Sequence, residues 1–203
     1  MWKRIKKAPA KRPTQQEYER GKALIMGLQA REAHGECDLW YFDGSGFCLT
    51  PCIPYAWQPI GSVIAVPTST HNRRINILGF LTRHQELCPY VIEGRVDTAV
   101  VVECFDQFSQ QLKKKAYVLL DNAPVQKSRE FIQHIPQWVK RGLIIKYLPP
   151  YSPELNLIEI LWRFMKYHWL PFSAYMSFKS LLQAIEDILA RFGTDYTIAF
   201  ETK

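Results

Sequence analysis

Tyr117-Val118-Leu119-Leu120-Asp121 is the stretch from which the rest of the chain can be read. Four consecutive apolar residues make a compact buried-strand pattern. The run ends at an acid and passes into Asn122-Ala123-Pro124, a turn that fixes the strand's exit. Upstream, Asp97 or Thr98 caps a helix predicted to reach about Lys115, with Val101, Phe105, Phe108 and Leu112 on one face. Lys113-Lys114-Lys115 would close it at the negative end of the helix dipole. Downstream, the pattern predicts a helix from Ser128 to Arg141, stopped by Gly142, and a strand over Leu143–Leu148.

Further upstream the spacing changes. Leu39-Trp40-Tyr41-Phe42 is a second compact apolar run that ends at an acid, Asp43, and Gly44-Ser45-Gly46 reads as a turn after it. Ser62–Val66 and Ile75–Leu81 are two more strand candidates, and an extended piece is predicted over Tyr90–Val96. Residues 14–33 suit one helix. Two helices, about Leu157–Trp169 and Ser177–Phe192, finish the chain. Antiparallel strands followed by alternating strands and helices predict an α/β fold: a mixed sheet, an antiparallel meander then parallel strands, flanked by helices.

The chain has 203 residues, 47% of them apolar and 22% charged, which suits one soluble domain with a real core. No apolar stretch is long enough to span a bilayer, and residues 1–13 lack the apolar centre of a secretory signal. Five cysteines, an odd number, read as free thiols in a reducing cytoplasm. Cys48 and Cys52 stand as C-x3-C without a second pair, so packing outweighs a zinc site. The net charge of +7 favours polyanion partners. Much of it lies in Lys3, Arg4, Lys6, Lys7, Lys11 and Arg12, a Pro-broken arm without acids that can track phosphates. A solvated tail reads equally well. The expected organisation is an arm and linker helix over residues 1–35 and one domain over residues 36–203.

Asp43 and Asp121 share one placement, each directly after an apolar run. A carboxylate at the end of a buried strand is costly unless a cation offsets it, and a divalent metal does so well. A turn former or helix cap is the ordinary alternative. A third acid, Glu159, falls off the Ile158, Leu161, Trp162, Met165 stripe of its helix and shares a face with Arg163 and Lys166. Asn156-x-x-Glu159 also has the spacing of a capping box, and cap and catalyst stand level on spacing alone. Glu154 is a weaker candidate. Three carboxylates suit Mg²⁺ or Mn²⁺, and two such ions can activate a nucleophile and stabilise a leaving oxygen in phosphodiester cleavage. His34, His71, His84, His134 and His168 are scattered, and no phosphate-binding glycine loop appears.

YFDGSGF at 41–47, VLLDNAPVQKS at 118–128 and LPPYSPELNLIEILWRFMK at 148–166 resemble the three motif blocks of bacterial insertion-sequence transposases of the Tc/mariner superfamily. Arg74–Phe80 is also similar to that family. The resemblance implies a DDE-type catalytic core on the ribonuclease H-like fold, with Asp43, Asp121 and Glu159 as metal-binding catalytic acids. It favours Glu159 over Glu154; Asn122, in the turn after Asp121, and Asn156, at the helix start, are the expected supporting residues. It implies two Mg²⁺ or Mn²⁺ ions, hydrolysis at transposon ends, strand transfer into double-stranded target DNA, a homodimer, no membrane, and a nucleoid-associated bacterial location. Arg163, Lys166 and the arm are the expected DNA contacts. Gly44 stands where the family often has Glu, Gln126 where His is common, and Leu157 where Pro is common. Family members carry helix-turn-helix domains ahead of this core, so a fragment, a split frame or a truncated copy is expected. Two other readings stay open: an inactive remnant acting as a DNA-binding or assembly module, and another ribonuclease H-like nuclease such as a resolvase.

Overall fold

A computed structural model describes residues 13–52, 60–61 and 73–200. The basic arm (Lys3, Arg4, Lys6, Lys7, Lys11, Arg12) and the expected Ser62–Val66 strand lie outside the described residues.

The strands are β1 (Asp38–Cys48), β2 (Arg74–Thr82), β3 (Leu87–Glu93), β4 (Ala116–Leu120) and β5 (Leu143–Tyr147). They form one sheet in the order β3-β2-β1-β4-β5. β1, β2 and β3 pair antiparallel, and β4 joins β1 and β5 in parallel. This is the mixed sheet expected. β4 is buried at all five positions, because a parallel strand with helices on both sides has no wet face.

The helices are α1 (Gln15–Ala33), α2 (Thr98–Gln110), α3 (Arg129–Lys140), α4 (Ile158–Phe164) and α5 (Phe178–Ala190). Local chemistry starts several of them. Thr14 and Glu17 form a reciprocal capping box on α1. The Asp97 side chain accepts from the Val100 N–H at 3.0 Å, and the Ser128 hydroxyl accepts from the Phe131 N–H at 3.2 Å. α2 and α3 cover one face over Phe42, Phe80, Val118 and Leu120. α1, α4 and α5 share a core with Leu39, Tyr41, Ile77 and Leu119 on the other. Among the described residues no helix is long and apolar enough to cross a membrane.

Four expectations are corrected. Gly44-Ser45-Gly46 is not a turn: β1 runs on to Cys48, with Gly44 opposite Leu78 and Gly46 opposite Asn76. A Cβ at position 46 would overlap the Arg74 guanidinium, so the glycine serves close approach rather than chain reversal. α2 ends at Gln110, short of the lysine run. Lys114 instead pairs with Asp38 at 2.9 Å, tying the β4 entrance to β1. The extended piece near Tyr90 is β3, and it ends at Glu93 rather than Val96. After Phe164, α4 widens into a π-helical turn over Met165–Trp169, where the sequence reads as one uninterrupted α-helix.

Candidate active site

The register brings Asp43 and Asp121 together. Tyr41 pairs with Leu119 in the parallel β1–β4 ladder. Two residues further along each strand stand Asp43 and Asp121. Side chains alternate with period two, so both carboxylates occupy the same level and point to the same face. Asp121 follows β4 directly, as expected. Asp43 lies within β1 rather than at its end, but beyond the last residue that β4 pairs. It therefore stands where the sheet narrows.

Glu159 comes from the first turn of α4, which packs on that face through Ile158, Leu161 and Trp162. Gly79 makes the approach possible. It is the β2 partner of Asp43, and a Cβ there would stand 3.2 Å from Ile158 Cδ1 and from Trp162 Cη2. Even a methyl group would crowd these two side chains, which must give by a few tenths of an ångström to admit it.

Asn156 fixes the same approach from the chain before the helix. The expected capping box of Asn156 and Glu159 does not form. Leu157 is the N-cap, without a side-chain hydrogen bond. The Asn156 Nδ2 donates instead to the carbonyl of Phe42 at 3.1 Å, locking the start of α4 to the residue before Asp43. Asn122 has the matching role across the sheet: its Nδ2 donates to the Leu148 carbonyl at 2.6 Å and joins the exits of β4 and β5. Glu154, the weaker candidate, sits near Tyr18 of α1 and helps to raise that phenol's pKa.

The sequence reading noted Gln126 only as a departure from the family pattern. Its Nε2 donates to Asp121 Oδ1 at 2.7 Å, and that oxygen also accepts from the Ala123 N–H at 3.3 Å. The Tyr147 hydroxyl donates to the Gln126 carbonyl at 2.8 Å, anchoring the short helical turn Pro124–Lys127. The signal that could have found it is the Asp121-x4-Gln126 spacing, one helical turn beyond the acid.

The electrostatics are lopsided. Asp43 is pushed up to about 7, chiefly by burial and then by Glu159, with a further push from Asp121. Glu159 is also raised, first by burial, with Asp121 adding and Lys166 opposing. Lys166 lies over the Phe47 ring, 5.2 Å from its centroid. Arg163 is exposed on the same helix. Asp121 and Glu159 line a cleft of about 540 Å³ with Asn122, Lys127, Asn156 and the Pro149–Pro153 loop, and Asp43 does not line it.

Among the described residues no group of three or more acid, histidine or cysteine side chains is gathered closely enough to hold a metal ion. Two buried oxygens without partners nevertheless flank the acids, Gln126 Oε1 and Asn156 Oδ1, while the Trp162 indole N–H is directed to Asp43. Mutually repelling carboxylates, all-oxygen donors and orphaned polar atoms fit a hard cation that keeps part of its water. The five cysteines form no disulfide, and among the described residues they gather into no rival metal centre.

Residues 38–182 match the family described as DDE superfamily endonuclease. The chain belongs to that family. No curated protein sequence matches it. The fold of this DDE-family chain is similar to that of a Mos1 transposase paired-end complex with left transposon end (TM-score 0.64, 13% identity, 94% of this chain and 59% of that chain). It is similar also to a Mos1 mariner paired-end complex with Mn (TM-score 0.59, 13% identity, 94% and 60%). A third likeness is the catalytic domain of Mos1 mariner transposase (TM-score 0.56, 11% identity, 90% and 85%). The chain thus spans 59–60% of the paired-end-complex chains and most of the isolated catalytic domain. These likenesses show a ribonuclease H-like fold.

Proposed function

We propose that the chain is the catalytic core of a DNA transposase of the Tc/mariner superfamily, of the bacterial insertion-sequence kind. It cuts phosphodiester bonds at transposon ends and joins the freed 3′-hydroxyl to target DNA. Asp43, Asp121 and Glu159 are its catalytic acids, and they hold two Mg²⁺ or Mn²⁺ ions. The observation that carries this reading is the register that sets Asp43 beside Asp121 while α4 delivers Glu159 to the same place, inside the DDE-family match.

The ions, when bound, supply an activated nucleophile and neutralise charge on the leaving oxygen. The chain's own groups do the rest. Gln126 holds Oδ1 of Asp121 and so fixes the carboxylate that lines the cleft. Asp43 must give up a proton as a cation enters, because its pKa stands at about 7. Asn156 and Gly79 keep Glu159 in range of both. Lys166 and Arg163 offer positive charge for the strand phosphates that flank the reacting bond. Duplex DNA and a second copy of the chain are the proposed partners, and the basic arm over residues 1–13 the proposed non-specific grip.

A second reading, an inactive DNA-binding or assembly module, draws on one observation: the three acids are not gathered closely enough to hold a metal ion together. One assay separates the two. Supercoiled DNA is incubated with the chain and Mg²⁺ or Mn²⁺, and nicked product is counted for wild type and Asp121→Ala. The enzyme reading expects nicking by wild type alone. Equal, background cleavage by both would leave only the module.

A further inference from the structure

We propose a second phosphate-binding site, remote from the acids, in which Arg73, Arg74 and Arg95 grip the backbone of duplex DNA; it rests on the reading above that DNA is the substrate. The three arginines line a cavity of about 770 Å³ with Asn76, Glu93 and Phe178. Three guanidinium groups face one carboxylate there. Of these three arginines, only Arg73 pairs with an acid among the described residues, Glu93, at 3.3 Å.

Contacts set two of the guanidinium groups in place, and the backbone that carries the third is anchored. Arg73 stacks on the Phe178 ring, 3.8 Å from its centroid. Arg74 lies across Gly46, in space that any side chain there would take. Arg95 follows Gly94, a residue at φ +109 whose carbonyl accepts from Asn76 Nδ2, so the loop after β3 is pinned to β2. Preorganised planar donors suit phosphate oxygens, which accept two parallel N–H bonds from one arginine.

Location gives the ligand. Cys48 pairs with Arg74 and Asp43 pairs with Gly79, so the arginines begin five register positions along β2 from the acids, at the sheet end, with Arg73 toward the acids' face and Arg74, an odd step away, toward the other. At about 3.4 Å per residue that is about 17 Å, the axial length of about five base pairs. Lys166 over Phe47 lies between, near the overhanging end of β1. The cavity is much larger than one phosphate ion, so an extended polyanion fits it better than a small anion.

The test is fluorescence-anisotropy binding of a labelled duplex across a salt series, for wild type, Arg74→Ala/Arg95→Ala, and Arg95→Gln. Both positions are exposed, and circular dichroism checks the fold. Each lost phosphate contact is expected to make the slope of log K against log salt shallower by about one, with weakening that does not depend on sequence. Unchanged slopes in folded variants would overturn the proposal. So would thermal protection of wild type by inorganic phosphate that the double variant loses while its DNA slope stays the same. Metal-dependent nicking is measured alongside. A changed slope with no nicking by wild type keeps the site and removes the enzyme reading; nicking with an unchanged slope does the reverse.

Discussion

The two faces of the sheet treat a carboxylate in opposite ways. On the α2–α3 face, Asp106 is fully answered: its Oδ1 accepts from Trp138 Nε1 at 2.8 Å and from Arg141 at 3.1 Å. Arg141 is held in turn by the Ser109 hydroxyl at 2.9 Å. Around them the aromatics interlock. Phe80 stacks on Phe108 at 3.9 Å, and Phe105 meets Phe42, Phe131 and Trp138. On the α4 face, Asp43 meets Glu159 and Asp121 instead of a cation. A charge neutralised by its own chain holds a fold together. A charge left to repel its neighbours is a place for something from outside.

The comparison breaks most visibly on Glu159→Gln. That change is expected to take metal-dependent nicking to background while the melting temperature without metal holds or rises. Glu154→Gln, beside Tyr18, should leave nicking intact; the opposite pattern would move the third acid to Glu154. Phe105→Ala on the other face should cost about 3–5 kcal/mol of stability, read by urea unfolding, through lost burial and the cavity left behind. Asp106→Ala should cost about 1–3 kcal/mol, because Trp138 and Arg141 lose their acceptor. Neither change is expected to alter cleavage per folded molecule.

Gln126→Ala leaves one Asp121 oxygen with only a backbone partner. It should weaken Mn²⁺ binding about 10-fold or more, the usual effect of losing a residue that orients a ligand. Gln126→His, which keeps an N–H donor, should recover part of it. Equal affinities for all three proteins would make Gln126 a packing residue.

The last expected effect is one of pH. Asp43 releases its proton at about 7 in the folded chain against an ordinary 3.8. The unfolded chain therefore ionises first as pH rises, and the folded state loses stability between about pH 4 and 7, with the full penalty present above 7. Without metal, Asp43→Asn should melt higher than wild type at pH 8 and level with it near pH 4. A wild-type curve parallel to the variant's at all pH values would mean that Asp43 carries no such strain.

The same contrast explains what the sequence revealed. β4 and its acid were legible because a strand buried on both faces is a continuous apolar run that stops abruptly at Asp121. α3 was legible from Ser128 and Gly142 at its two ends. Gly44-Ser45-Gly46 misled because glycine has two uses, chain reversal and close approach, and only Leu78 and Arg74 across the ladder show which applies. The capping box misled for a related reason: Asn156 has two hydrogen-bonding options, and Phe42, 114 positions away in the chain, supplies the one it takes. The motif resemblance named Glu159, but its seat depends on the absent side chain of Gly79, a contact that no local pattern encodes. Gln126 was seen and its bond to Asp121 was not, since spacing alone does not aim an amide.

On the proposed function, Asp43, Asp121 and Glu159 together hold divalent metal. Calorimetric titration of Mn²⁺ into wild type and into Asp43→Asn/Asp121→Asn/Glu159→Gln at pH 6 and pH 8 tests it directly. Wild type should bind at both values, more tightly at pH 8 because Asp43 has given up its proton, and the triple variant should bind at neither. Equal binding by the two proteins would contradict the claim.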